Sequence, residues 1–249
     1  MAALVWFILL SVQVFANTPR VAVFADSQFV GAPGAGFLEV FDETFGNFFE
    51  LGLFARCGFR PSDWFQGTRT PHCGGSRILY PSHWSLPPER RRAFSLFQIL
   101  EHVRPDLVIF SLGGNLTGAS EAVVDRNLEP TLRLLRSTHT PCIWISPLQV
   151  NLGPRNTARR RISRWIQEKV RDTCNVIDGG SLSFYPRNIR GLHYAGSRRY
   201  HVRPHDPEWV RKLAGRDHKV SLSELGIQSG RNIGSAIAEQ MQDLLKTND

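Results

Sequence analysis

Acidic residues are the scarce class in this sequence: 22 Asp and Glu stand against 30 Lys and Arg, a formal charge of +8 over 249 residues. A surplus of that sign draws a protein toward anionic polymers and surfaces. No zinc finger, basic zipper or RNA-binding signature accompanies it, so nucleic acid is not an expected partner. Cysteine is sparse as well. The four, Cys57, Cys73, Cys142 and Cys174, make no Cys-x-x-Cys pair and no Cys/His cluster with zinc spacing, which argues against a metal site. Internal repeats, low-complexity tracts and linkers are absent, so one folded unit is expected. The stretch from Met1 to Ala16 is apolar and carries no charged side chain. It is short for a membrane span. Val14-Phe15-Ala16 places small residues where a signal peptidase cuts. A signal peptide over 1–16 and a mature domain over 17–249 are therefore expected, in a secreted or periplasmic protein.

What remains is the composition of an ordinary globular chain, 42% hydrophobic and 21% charged, long enough for a sizeable core. Apolar runs and helical periodicities alternate along it. Strands are predicted at 21–25, within 47–56, and at 106–112, 142–146 and 175–178. Helices are predicted around 34–45, 93–103, 119–136, 155–171 and 230–245. Phe37, Leu38, Phe41 and Phe45 share one helical face; Phe94, Phe97, Ile99 and Leu100 are assigned inward on another. A Gly/Pro/Ser-rich loop is expected over 58–88, with Trp64, Phe65 and Trp84 more often packing than sugar-stacking residues. The βαβα rhythm argues a parallel sheet covered on both faces. Arg90-Arg91-Arg92 and Arg159-Arg160-Arg161 read first as solvated helix faces, and second as attraction to an anionic envelope polymer.

Two strand ends carry chemistry. Val21-Ala-Val-Phe-Ala25 stops at Asp26-Ser27-Gln28, and Pro105–Leu112 stops at Gly113-Gly114-Asn115. A serine and an asparagine at the carboxyl ends of strands sit where α/β sheets place their ligands. Glycines beside them permit close approach of backbone and substrate. This pairing resembles the SGNH (GDSL-type) hydrolases, whose Gly-Asp-Ser block is here Ala25-Asp26-Ser27 and whose Gly-x-Asn block is Gly113-Gly114-Asn115. Cys57-Gly58-Phe-Arg-Pro61, Trp64-Phe-Gln-Gly67 and Thr70-Pro-His-Cys73-Gly74 are similar to a secreted bacterial branch of that family, related to cell-envelope glycan esterases and acetyltransferases. The resemblance runs from about Val21 to about Met241. It implies a flavodoxin-like three-layer α/β/α sandwich, a Ser27 nucleophile, and an oxyanion hole from the amides of Ser27 and Gly58 and the side chain of Asn115. It implies no cofactor.

The family's base is the histidine of an Asp-x-x-His block, and this chain offers two imperfect matches. Tyr185-Pro186…Arg190-Gly-Leu-His193-Tyr194 keeps the histidine but has Arg190 in place of the aspartate. His218-Lys-Val-Ser221-Leu-Ser-Glu-Leu-Gly226 keeps the flank but has Ser221 in place of the histidine; His218 is the alternative base. Without its carboxylate partner an imidazolium is less stabilised, and Asp178 or Asp206 could substitute. An absent base remains open as well. The expected activity is an exported serine esterase acting on an O-acylated polysaccharide or peptidoglycan. An acetyltransferase on the same site, or a non-catalytic glycan-binding protein, is the alternative. Of the pairings open to the four cysteines, 57–73 with 142–174 is the simplest.

Overall fold

Strand β1 (Arg20–Ala25) lies in the middle of a six-stranded sheet whose pleat divides its residues cleanly between two cores. Ala22 and Phe24 face one side and Val21, Val23 and Ala25 the other, all fully buried. The computed structural model describes residues 18–46, 48–67, 75–86, 94–148, 154–184 and 199–246. The remaining strands are β2 (Glu50–Arg56), β3 (Ser76–Leu79), β4 (Leu107–Ser111), β5 (Cys142–Ile145) and β6 (Asn175–Ile177), in the order β3-β2-β1-β4-β5-β6. All neighbours pair in parallel except β3, which runs antiparallel along β2. The five parallel strands have the doubly wound order of flavodoxin-like sheets, as expected.

Helices α1 (Ser27–Val30) and α2 (Ala32–Phe45) follow β1, and α3 (Pro61–Gln66) follows β2. Then come α4 (Leu96–Val103), α5 (Glu121–Thr138), α6 (Pro154–Val170) and α7 (Gly179–Leu182). Residues from α3 to α6 cover one face of the sheet: Trp64, Leu96, Ile99, Leu128, Ile162 and Ile166 join Phe24 and Phe110 in one core. Phe37, Phe41 and Phe45 of α2 cover the other face, with Ile233, Ile237 and Met241 of the final helix, α9 (Leu222–Lys246). A small annex holds β7 (Arg199–His201), α8 (Glu208–Ala214) and β8 (Lys219–Ser221), packed through Val210, Val220 and Leu225.

Aromatic rings lock the strand register. Phe54, Phe24, Phe110 and Trp144 sit on four adjacent strands in mutual register. Their centroids are 5.4, 5.7 and 4.7 Å apart, each pair stacked. Such pairs add about 0.5–1.5 kcal/mol each beyond their burial. A slip of one residue would turn every ring to the opposite face.

Three elements differ from the expectation. In place of a single loop over 58–88, the described part of that stretch holds α3 and β3. Helix α3 opens at Pro61 with Asp63 accepting from the Arg60 amide at 2.7 Å, and closes at Gly67 with φ of 64°. Trp64 and Trp84 are buried packing residues. Phe97 faces solvent rather than the core, at 54% exposure. Ser95 caps α4 and starts it at Leu96, which puts Leu96, Ile99 and Val103 on the buried stripe. The last helix begins at Leu222, not 230, because Ser221 and Glu224 close a capping box there (3.1 and 2.8 Å).

Gly226 and Gly230 do not break that helix, and packing explains why Gly230 is there. A Cβ on Gly230 would run into the carbonyl of Pro33, and one on Gly36 of α2 into the carbonyl of Ile227. The two helices thus meet backbone to backbone. Cys142 and Cys174 are bonded across β5 and the approach to β6. Cys57 is disulfide-bonded too, and Cys73 lies outside the described residues.

Gly36→Ala should destabilise the fold by about 1–3 kcal/mol through overpacking, although alanine gains about 1 kcal/mol of intrinsic helix propensity. Urea unfolding checks the sign, and an unchanged or raised midpoint would contradict the close approach. Replacing Cys142 and Cys174 together by serine should cost about 2–4 kcal/mol, measured in the same way; a loss under ~0.5 kcal/mol would mean the crosslink is dispensable.

Candidate active site

The parallel pairing of β1 with β4 ends at Ala25 opposite Ser111. It continues one step further, where the Asp26 amide donates to the Ser111 carbonyl at 3.1 Å. The chain then turns into α1, with Asp26 as its cap: the Asp26 carboxylate accepts from the Gln28 amide at 3.0 Å. Ser27 is therefore the first helical residue. An amide in that position has no intrahelical acceptor. Ser27 is 6% exposed, and its hydroxyl makes no hydrogen bond among the described residues. Asp26 and Gln28 are more deeply buried.

Gly113 takes φ of 114°, a value that favours glycine, and starts a 3-10 turn over Gly114–Leu116. A side chain on Gly113 would also collide with Ile166 of α6. The Asn115 side-chain amide donates to the Phe59 carbonyl at 3.0 Å. Phe59 follows Gly58, whose φ of 83° turns the chain after β2. One hydrogen bond thus ties the β4 turn to the β2 turn and holds Asn115 next to Gly58. An amide NH2 has two donors, and the second has no partner among the described residues. Trp64 steadies the same corner: its indole donates to the Ala25 carbonyl at 3.3 Å, and its ring packs against Phe24 and Phe59.

Ser27, Gly58 and Asn115 therefore follow three adjacent strands, β1, β2 and β4, at their carboxyl ends. His193 and Arg190 fall in 185–198, outside the described residues. The alternative base, His218, ends a 3-10 turn with φ of 49° and is exposed. It makes no side-chain hydrogen bond among the described residues. Ser221, which stands at the histidine position of that second block, is the cap of α9.

The two substitute acids are both engaged. Asp206 is buried and accepts from the Tyr200 hydroxyl at 2.8 Å and the Arg203 amide at 2.7 Å. Burial first, then the hydrogen bond and charge of Asp206, push the Tyr200 phenol up to about 12. Asp178 caps α7, taking the Gly180 amide and the Ser146 hydroxyl at 3.1 Å each.

Sequence reasoning missed Arg159. Assigned to a solvated face, it is only half-exposed and reaches back from α6 to the site. A Cβ on Gly114 would meet the Arg159 guanidinium, and would lie 2.9 Å from the Asp26 carboxylate. Both charged groups thus crowd onto Gly114, one residue from Asn115. Its neighbours on α6 behave differently: Arg161 stacks on Trp165 at 5.2 Å, and Arg160 is exposed. The bare run of three arginines holds no signal that separates them.

Neither a protein-family model nor a curated protein matches this chain. Solved structures resemble it in outline. A protein described as lipolytic and of the G-D-S-L family, from Desulfitobacterium hafniense, is 13% identical over 88% of this chain and 99% of its own, with a TM-score of 0.48. The psychrotrophic esterase EstA from Pseudoalteromonas sp. is 10% identical over 91% and 100%, with a TM-score of 0.49. Axe2, an acetylxylan esterase from Geobacillus stearothermophilus, is 11% identical over 67% and 78%, with a TM-score of 0.43. At that level of likeness no residue's role passes from those enzymes to this chain.

Proposed function

We propose that this chain is an exported serine ester hydrolase of the SGNH type that removes acyl groups, most simply acetyl, from an O-acylated glycan. The observation that carries the reading is the convergence of three elements at one sheet edge. Ser27 starts a helix after β1 with its amide unused among the described residues, Gly58 turns the chain after β2, and the Asn115 side chain after β4 bonds to the Phe59 carbonyl.

In this reading the Ser27 hydroxyl attacks the ester carbonyl and His193 takes its proton. The Ser27 and Gly58 amides and the second Asn115 amide hydrogen hold the oxyanion as the carbon becomes tetrahedral. Collapse breaks the bond to the sugar oxygen, which leaves with the proton from His193. Water, deprotonated by the same imidazole, then attacks the acyl-enzyme; the bond from the acyl carbon to the Ser27 oxygen breaks, that oxygen regains the proton from His193, and the acid is freed. A sugar hydroxyl in place of water would make the same steps an acyl transfer. Arg190, standing where the family has its aspartate, favours a second reading: a glycan-binding protein without turnover.

Acetyl release from 4-nitrophenyl acetate and from O-acetylated peptidoglycan separates the readings. Ser27→Ala should lower turnover about 10³-fold or more, and Asn115→Ala about 10²-fold. Equal activity in the parent and Ser27→Ala would refute the serine mechanism. Absence of activity in the oxidised parent would favour the binding protein. Arg190→Asp should then raise hydrolysis if arginine merely occupies the lost acid's place.

A further inference from the structure

Beside the Ser27 corner, across Arg159, lies a cavity of about 390 Å³ at the carboxyl ends of β5 and β6. That is within the range of small-ligand pockets. Its wall on α6 is basic and polar: Arg159, Arg160, Ser163, Arg164 and Gln167. Asp178 is the acidic residue of the lining, and one of its carboxylate oxygens is already shared among the Gly180 amide, Ser146 and Gln167.

Several basic side chains elsewhere on the described surface have acidic partners. Lys169 pairs with Asp125 at 3.2 Å, Arg136 with Glu129 at 3.1 Å, and Arg231 with Glu39 at 2.8 Å. Arg160 and Arg164 make no ion pair or hydrogen bond among the described residues. They are four residues apart, on one face of the helix. Two guanidinium groups with no partner among the described residues thus stand at the wall of a concave site, where an anion would offset their like charge. The planar, bidentate geometry of guanidinium suits a carboxylate or phosphate.

We propose that this cavity is an anion subsite, in which Arg160 and Arg164 clamp a carboxylate or phosphate carried by the glycan whose ester reaches Ser27. Arg159 bridges the two places, because it lines the cavity and also touches the space over Gly114 beside Asp26. The ester and the negative group would then sit on neighbouring parts of one chain. The subsite makes the substrate an acylated acidic polysaccharide rather than a neutral one. It rests on the proposed esterase reading for its purpose, but not for its binding chemistry.

The test uses the full mature chain carrying Ser27→Ala, so that binding is read without turnover. Calorimetric titration at low salt with trigalacturonate, glycerol 1-phosphate and xylotriose compares a carboxylate, a phosphate and a neutral sugar. At least one anion should bind more tightly than xylotriose and lose that advantage at high salt. Arg160→Ala with Arg164→Ala should weaken it about 10-fold or more. Whichever anion binds names the source of the charge. Both arginines are exposed, so the variant should keep its melting temperature; Arg164→Glu is a second variant that should abolish anion binding. Anions that bind no better than xylotriose, or equally well to the arginine variants, would overturn the proposal. A parallel assay on the active chain takes the ratio of kcat/KM for acetylated methyl glucuronoside over acetylated methyl glucoside. That ratio should fall about 10-fold in the double variant. If neither ester is hydrolysed by the parent, the esterase reading fails while the titration still decides the subsite.

Discussion

The stacked ladder of Phe54, Phe24, Phe110 and Trp144 is the constraint on which the rest of this structure depends. Parallel strands have no tight hairpin to set their register, since each pair is joined by a crossover. Here one large ring per strand does it, at the same level on β2, β1, β4 and β5. With the rings aligned, Ala25 stands opposite Ala55 and Ser111, and the three strands release their chains at one edge. A shift of β4 by a single residue would move the Asn115 turn away from Phe59 and bury polar groups in the wrong face.

From that edge outward, polar bonds take over from apolar packing. The Asp26 amide extends the β1–β4 ladder, the Asp26 carboxylate caps α1, and Asn115 reaches across to Phe59. The first and third of these bonds tie separate segments together, and the second caps the helix. Among the described residues they leave the Ser27 hydroxyl, the Ser27 amide and one amide hydrogen of Asn115 without a partner. Pre-set donors of this kind stabilise developing negative charge without reorganising, which is how an oxyanion site lowers a barrier. At the β4 turn, side chains at Gly113 and Gly114 would displace Ile166, Arg159 and Asp26.

Much of this is legible in the sequence, for physical reasons that also explain the gaps. The apolar run ending at Asp26-Ser27 and the run ending at Gly113-Gly114-Asn115 are both strands, because fully buried strands need continuous apolar residues. Strand β3 escapes notice because it is a short edge strand whose four residues are all at least partly exposed, so no hydrophobic pattern marks it. Phe97 is misplaced by pattern alone because its inward or outward sense depends on where α4 starts, and Ser95 sets that start. Gly226 and Gly230 hide eight residues of α9; Gly230, required by contact with α2, looks in sequence like a glycine that ends a helix. Arg159 is the largest omission. Charge runs give no sign of which member turns inward; only the tertiary contact with Gly114 singles it out. Ser221 shows the reverse case, where a position matching a catalytic block is a helix cap.

The central claim is that Ser27 is a nucleophile placed at a pre-set oxyanion site. Reaction of the oxidised mature protein with a fluorophosphonate, followed by peptide mass spectrometry, tests it most directly, since the reagent phosphonylates a serine activated in this way. The account predicts a single adduct on Ser27, formed more slowly when Asn115 is alanine. An unlabelled Ser27 in a folded protein, or an adduct on a different serine, would contradict it.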